Sequence, residues 1–440
     1  MAAGNLVMTV NPGGKLQGLV RVPGDKSISH RAIMLGSLAE GVTEIEGFLE
    51  GEDSLATLNA FRAMGVRIKG PENGRVVIHG AGLHGLNAPS GPLDCGNSGT
   101  SMRLLAGIMS AQAFDVVMAG DESLSRRPMK RVTAPLTAMG AHIETTAQGT
   151  PPLRISGGRT LTGIDYQMPV ASAQVKSALL LAGLYAKGKT CVTEPAPTRD
   201  HTERMLKGFG YPVARQGQRI CVEGGGRLHA GHVDVPADIS SAAFFMVGAA
   251  IARGSDITLR GVGINPTRSG AINILRQMGA CIDVLGERES GGEPVADIRV
   301  RSSALQGIHI PEDQVPLAID EFPALFIAAA CAKGETVLTG AVELRVKESD
   351  RIQMMASGLS QLGIQAHPMD DGMIIHGGSM KGGQIQSGGD HRIAMAFAMA
   401  ALRCSGTVEI HDCENINTSF PGFTEISGHA GLNITAKIVD

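Results

Sequence analysis

The sequence predicts an α/β protein built from six copies of one supersecondary unit, set in two halves of three units each, and three observations predict it. The chain has 440 residues, 43% hydrophobic and 18% charged, enough apolar material for two or three domains at about 150 residues apiece. A helical run closing on an apolar residue plus glycine recurs five times, as FRAMGVRIKG, PLTAMGAHIE, MLKGFGYPVA, ILRQMGACID and LSQLGIQAHP. Its glycines, Gly65, Gly140, Gly210, Gly279 and Gly363, suit the left-handed position just past a helix. A small-residue helix followed by a β-rich strand recurs six times, from RAIMLGSLAEGVTEIEGF to RIAMAFAMAALRCSGTVEIHD. Interleaved, the two phrases read helix, strand, helix, strand, strand over roughly 70 residues, too long for a solenoid turn.

Taken in order, the first helix of each unit begins at PGDKSISHR, CGNSGTSMR, ASAQVKS, ADISS, IDEFP and GDHR. The sixth unit shows no closing strands at the C-terminus, whereas MTVNPGGKLQG at the start resembles the closing strands VVIHGAGLHG and IRVRSSALQG. The N-terminal strands are therefore expected to complete the sixth unit. The chain then passes between halves twice, near Pro23 to Gly24 and near Pro236 to Asp238, where turn residues separate strand-like runs. This divides it into residues 24–238 and residues 1–23 plus 239–440, with a ligand cleft expected between the two. With 59 glycines, no Trp and 3% aromatics, the cores must be small and aliphatic.

A net charge of -3 excludes a global basic field for nucleic acid. No run approaches the roughly 18 apolar residues of a membrane span, and MAAGNLVMTVNPGG lacks a leader's basic and apolar regions. Seven scattered cysteines without a C-x-x-C pair predict neither a disulfide framework nor a metal site, and so a reducing cytoplasm. GAGLHG at 80–85 matches G-x-G-x-x-G, but Pro89 and Pro92 stand where its helix should start, so dinucleotide binding is rejected. The NTPase, zincin and α/β-hydrolase signatures are missing.

The chemistry-bearing residues fall just before the first helix of each unit, where unsatisfied N–H groups and the positive dipole end favour anions. In order they are Lys26, Ser27 and Arg31; Asn97, Gly99, Thr100 and Arg103; Ser172, Gln174 and Lys176; Asp238 and Ser240; Asp320 and Glu321; Asp390 and Arg392. The first three starts carry no acid except Asp25, and the last three all carry one. Asp238 and Ser240 read as ordinary caps. Lys26, Arg31 and Arg392 do not, because a cation opposes the dipole there unless an anion intervenes. Loops after the first strands add Arg127, Arg199, Lys347, Glu348 and Arg351, so the site is expected to take more than one multiply charged anion. His30, His201 and His391 are read as scaffold.

PGDKSISHR, GNSGT-x-x-R, SLSRRPM, SAQVKSALLLAG, LRVKESDR and GDHR, in this order along nearly the whole chain, resemble the enolpyruvyl transferases, in the branch that acts on shikimate 3-phosphate. The resemblance implies two inverse α/β-barrel-like domains, each of three βαβαββ repeats, which close on their substrates. It also implies transfer of the enolpyruvyl group of phosphoenolpyruvate to the 5-hydroxyl of shikimate 3-phosphate, with no cofactor or metal and with glyphosate as a candidate inhibitor; a cytoplasmic monomer is expected. It casts Lys26, Ser27, Arg31, Ser172, Ala173, Gln174, Arg199, Asp320 and Lys347 as shikimate-3-phosphate contacts. Lys26, Gly99, Arg127, Gln174, Arg351 and Arg392 become phosphoenolpyruvate contacts, and Asp320, Glu348 and Lys26 the catalytic groups. Leu104, Ala173, Glu343 and Thr418 depart from the best-known pattern and resemble the divergent, glyphosate-tolerant class, although Gly99 stays glycine. The alternatives are the sister enzyme acting on UDP-N-acetylglucosamine, whose mobile-loop cysteine is missing from Asp121–Arg131, and a non-catalytic anion-binding repeat protein.

Overall fold

A computed structural model describes residues 5–439; the first four residues of the stretch read for a leader lie outside it. Helices and strands alternate throughout. The described residues fall into two compact units. One is Gly24–Val235 with the short segment Glu289–Glu293; the other is Met1–Pro23, Pro236–Arg288 and Pro294–Asp440.

All five repeated glycines end a helix in the same way. Gly65, Gly140, Gly210, Gly279 and Gly363 have φ between 76° and 106°, a conformation that costs a side chain dearly and glycine nothing. In each case the glycine N–H and the next N–H reach back to the last turn, as in Gly65 to the Arg62 carbonyl and Val66 to the Phe61 carbonyl. That pair of bonds satisfies two carbonyls the helix would otherwise leave open.

Among the described residues the strands form six sheets, five of four strands and one of three. In five of them, the strand leaving a first helix sits beside an antiparallel hairpin. Glu40–Glu46 pairs antiparallel with Arg75–Ala81 and parallel with His232–Asp234. The third unit's last strand therefore joins the first unit's sheet and closes the Gly24–Val235 unit on itself.

The N-terminal strand Asn5–Val10 lies antiparallel between Val408–His411 and Ile434–Val439, so it completes the sixth sheet. Two details correct the sequence reading. The C-terminus does supply a closing strand, Ile434–Val439. Gln17–Val20 instead pairs parallel with Asp256–Leu259 of the fourth unit. ITAKIV escaped notice because it is a sheet-edge strand with five of its six residues exposed, so no buried face imposes alternation on it.

The first helices form the cores. Ile239–Ile251 and His391–Ala400 are buried at every position, and Phe322–Cys331 at all but its last. In the other unit, Gly99–Met109 meets Ala173–Gly183 so closely that a Cβ on Gly107 would lie 2.2 Å from the Ala178 carbonyl oxygen. Small residues here are a packing requirement.

The cysteine reading also needs correction. Cys191 and Cys221 form a disulfide, because the antiparallel register sets them directly opposite each other. Cysteines 30 residues apart give no local sign of that register. Cys95, Cys281, Cys331, Cys404 and Cys413 are free.

Candidate active site

In the Gly24–Val235 unit the three first helices are capped by side chains. Asp25 accepts from the Ile28 N–H at 2.9 Å, Ser98 from Ser101 at 3.0 Å, and Ser172 from Val175 at 3.4 Å. Hydrogen bonds tie these helix starts together. His30 Nδ1 lies 2.8 Å from the Thr57 hydroxyl, which lies 2.7 Å from that of Ser101. The Gln174 amide accepts from Arg103 at 2.6 Å and donates to Thr100 at 3.0 Å. Burial, with Lys26 and Arg31 adding to it, pushes the His30 pKa well below its ordinary value. A neutral, hydrogen-bonded ring fits a scaffold residue.

Lys26 reaches Asp53 at 2.9 Å. Arg127 donates to the Asn97 amide oxygen at 2.7 Å and to the Ser123 hydroxyl at 3.2 Å. Gly99 lies beneath the arginines, and a Cβ there would fall 2.9 Å from Arg103 Nη1 and 3.3 Å from Arg127 Nη1. The buried Arg31 donates to Thr202 Oγ1 at 2.7 Å, to Ser177 Oγ at 2.8 Å and to the Ser27 carbonyl at 2.8 Å. All three acceptors are neutral. Burial lowers its pKa to about 10, with Glu203 and Asp25 opposing and Arg199 reinforcing the shift.

The other unit holds the acids. Arg351 has no exposed surface. Its Nε lies 2.8 Å from Asp390 Oδ2, its Nη2 2.6 Å from Glu348 Oε2, and its Nη1 3.5 Å from Asp320 Oδ1. Nη1 makes no hydrogen bond. Burial alone would lower the Arg351 pKa, but Asp390 and Glu348 outweigh it and raise the pKa above the ordinary value. Asp390 shows the converse: burial favours its neutral form, yet Arg351 holds its pKa below the ordinary carboxylate value. Asp390 also caps the His391–Ala400 helix. Arg392 donates to the Asp320 carbonyl at 3.1 Å. Lys347 lies 3.5 Å from Asp320 Oδ1 and 3.6 Å from Glu343.

Thus Asp320, Lys347, Glu348, Arg351 and Arg392, named from sequence, form one connected cluster. Ser27, Arg31, Gly99, Arg127, Ser172, Ala173, Gln174 and Arg199 lie at the starts of helices, or in the loops after first strands, of the other unit. Lys176 does not belong with the ligand cations. It has no exposed surface and sits on Glu194 and Glu203. Asp238 caps its helix, as read from sequence, but also bonds the buried Arg268 at 3.2 Å. Sequence reasoning missed Asp53, Ser177 and Thr202 as supports, and named Asn97 without its partner Arg127. Only the fold brings them to Lys26, Arg127 and Arg31. Thr418, one of the residues that depart from the best-known pattern, is buried and donates to the Asn415 carbonyl.

The family model for EPSP synthase (3-phosphoshikimate 1-carboxyvinyltransferase) matches residues 10–426. A 3-phosphoshikimate 1-carboxyvinyltransferase of Methylococcus capsulatus is 70% identical over 430 residues, covering 98% of both chains. That of Alkalilimnicola ehrlichii is 69% identical, covering 97% of this chain and 96% of its own. Among solved structures, an EPSP synthase from Acinetobacter baumannii superposes with a TM-score of 0.90 at 61% identity, over 98% of this chain and 100% of that one. The enolpyruvyl transferase NikO of Streptomyces tendae shares the fold at 17% identity, with a TM-score of 0.80 over 99% of this chain and 100% of its own. With a family model spanning nearly all of its length and relatives this close, the chain belongs to the EPSP synthase family, the 3-phosphoshikimate 1-carboxyvinyltransferases.

Proposed function

We propose that the chain transfers the enolpyruvyl group of phosphoenolpyruvate to the 5-hydroxyl of shikimate 3-phosphate, releasing phosphate and 5-enolpyruvylshikimate 3-phosphate. The chemistry needs an acid for the methylene carbon, a base for the hydroxyl and cations for several anionic groups. The observation that carries the reading is Arg351, one buried guanidinium flanked by both Glu348 and Asp320.

In this reading Glu348 protonates the methylene while the hydroxyl oxygen attacks the adjacent carbon and Asp320 takes the hydroxyl proton. A tetrahedral ketal phosphate results. Glu348 then removes a proton from the new methyl group, the carbon–oxygen bond to phosphate breaks, and the departing phosphate takes back the proton held by Asp320. Lys26, Gly99, Arg127, Gln174, Arg351 and Arg392 hold phosphoenolpyruvate. Lys26, Ser27, Arg31, Ser172, Ala173, Gln174, Arg199, Asp320 and Lys347 hold shikimate 3-phosphate. Charge-assisted contacts of this kind suit phosphates and carboxylates.

No helix among the described residues is long and apolar enough to cross a membrane, and a cytoplasmic monomer is the state proposed. The test is phosphate release from phosphoenolpyruvate. Release that requires shikimate 3-phosphate is expected. Release without it, or none with both substrates, would contradict the reading.

A further inference from the structure

The fully buried Lys176 reaches Glu194 Oε2 at 3.0 Å, Glu203 Oε1 at 2.7 Å and the Thr198 carbonyl at 3.5 Å. Glu194, with no exposed surface, gathers the segment that follows it. Its Oε2 accepts from the Thr198 hydroxyl at 2.7 Å and the Thr198 N–H at 3.2 Å, and its Oε1 from Arg215 at 3.4 Å. Arg199 is the next residue.

The same network runs beside Arg31. Ser177, which follows Lys176, and Thr202, which precedes Glu203, hold the Arg31 guanidinium and bond each other at 2.7 Å. Two adjacent rungs thus join the Ala173–Gly183 and His201–Gly208 helices, Lys176 to Glu203 and Ser177 to Thr202.

Burying one ammonium with two carboxylates is costly, and apolar side chains of similar volume often stabilise as well. Stability alone is therefore a weak reason for this cluster, whereas fixed geometry beside two cations is a strong one. We infer that Lys176, Glu194 and Thr198 are positioning residues, which set the affinity for shikimate 3-phosphate by fixing Arg199 and Arg31 without touching the substrate. The inference rests on the proposed assignment of Arg31 and Arg199 as ligands of that substrate.

Thr198→Val keeps the shape and removes the hydroxyl clamp. Calorimetry and steady-state kinetics should show the Kd and KM for shikimate 3-phosphate rising at least fivefold, with much smaller changes in kcat and in the KM for phosphoenolpyruvate. Thr198→Ser should restore affinity to within twofold. In an Arg199→Ala background the Thr198→Val effect should shrink, because coupled residues are not additive. If Arg199→Ala is weakened while Thr198→Val binds like the parent, the positioning role is overturned. An equal loss for both substrates, accompanied by lower stability, would overturn it too. If Arg199→Ala itself binds like the parent, the ligand assignment fails and the inference with it. A parent that binds no shikimate 3-phosphate would instead sink the functional reading.

Discussion

Arg31 and Arg351 are both buried guanidiniums, one in each unit, yet their surroundings are opposite. Arg31 rests on two hydroxyls and a backbone carbonyl, and burial depresses its pKa to about 10. Arg351 is flanked by Asp390, Glu348 and Asp320, and its pKa is raised. Neutral partners orient a cation without neutralising it, so the positive charge of Arg31 is not cancelled by its hydrogen-bond partners. Arg351 aligns carboxylates through Nε and Nη2, while its Nη1 makes no hydrogen bond. In the proposed reading both cations meet a substrate, but only Arg351 also organises acids.

The predictions probe that contrast, beginning with the largest effect. Glu348→Gln should lower kcat by about 10² to 10⁴, the usual contribution of a general acid–base group, with shikimate-3-phosphate binding nearly intact by calorimetry. Turnover within threefold of the parent would remove Glu348 from its role. Arg351→Met leaves Asp390, Glu348 and Asp320 without their shared cation and should cost about 3–5 kcal/mol of unfolding free energy in a denaturant titration. A stable, merely slower variant would show that its carboxylates do not depend on it. Arg127→Ala should chiefly raise the KM for phosphoenolpyruvate, by the roughly 1.5–3 kcal/mol of a hydrogen bond to a charged group. Weakening only of shikimate 3-phosphate would reassign Arg127. Gly99→Ala should be the mildest, because the atoms its Cβ would meet are the far ends of flexible arginines. The fold should survive, and the KM for phosphoenolpyruvate should rise by less than in Arg127→Ala.

Much of this contrast is legible in the sequence, because helix starts are local. Acids at the last three starts and hydroxyls and cations at the first three already separate the two units chemically. The five terminating glycines are equally visible, since only a left-handed position explains glycine at one place in every repeat. Lys176 shares a helix start with Gln174, but its burial depends on Glu194 and Glu203, 18 and 27 residues further along, which the start alone does not show. Asp390 reads as a cap and is one. Its second role, holding Arg351 from 39 residues away, needs the fold. The Cys191–Cys221 pair is hidden because register across a sheet leaves no mark on either strand alone, and the edge strand Ile434–Val439 because no buried face imposes alternation on it.

The most direct test is Arg31→Met, measured twice: by calorimetric titration with shikimate 3-phosphate and by denaturant unfolding without ligand. Ser177 and Thr202 still bond each other when the guanidinium is gone. The unfolding free energy should therefore stay within about 1.5 kcal/mol of the parent, the worth of an ordinary hydrogen bond, while the affinity falls by about 1.5–3 kcal/mol. Retained affinity together with a stability loss as large as that of Arg351→Met would mean that Arg31 serves the fold, and would contradict the account.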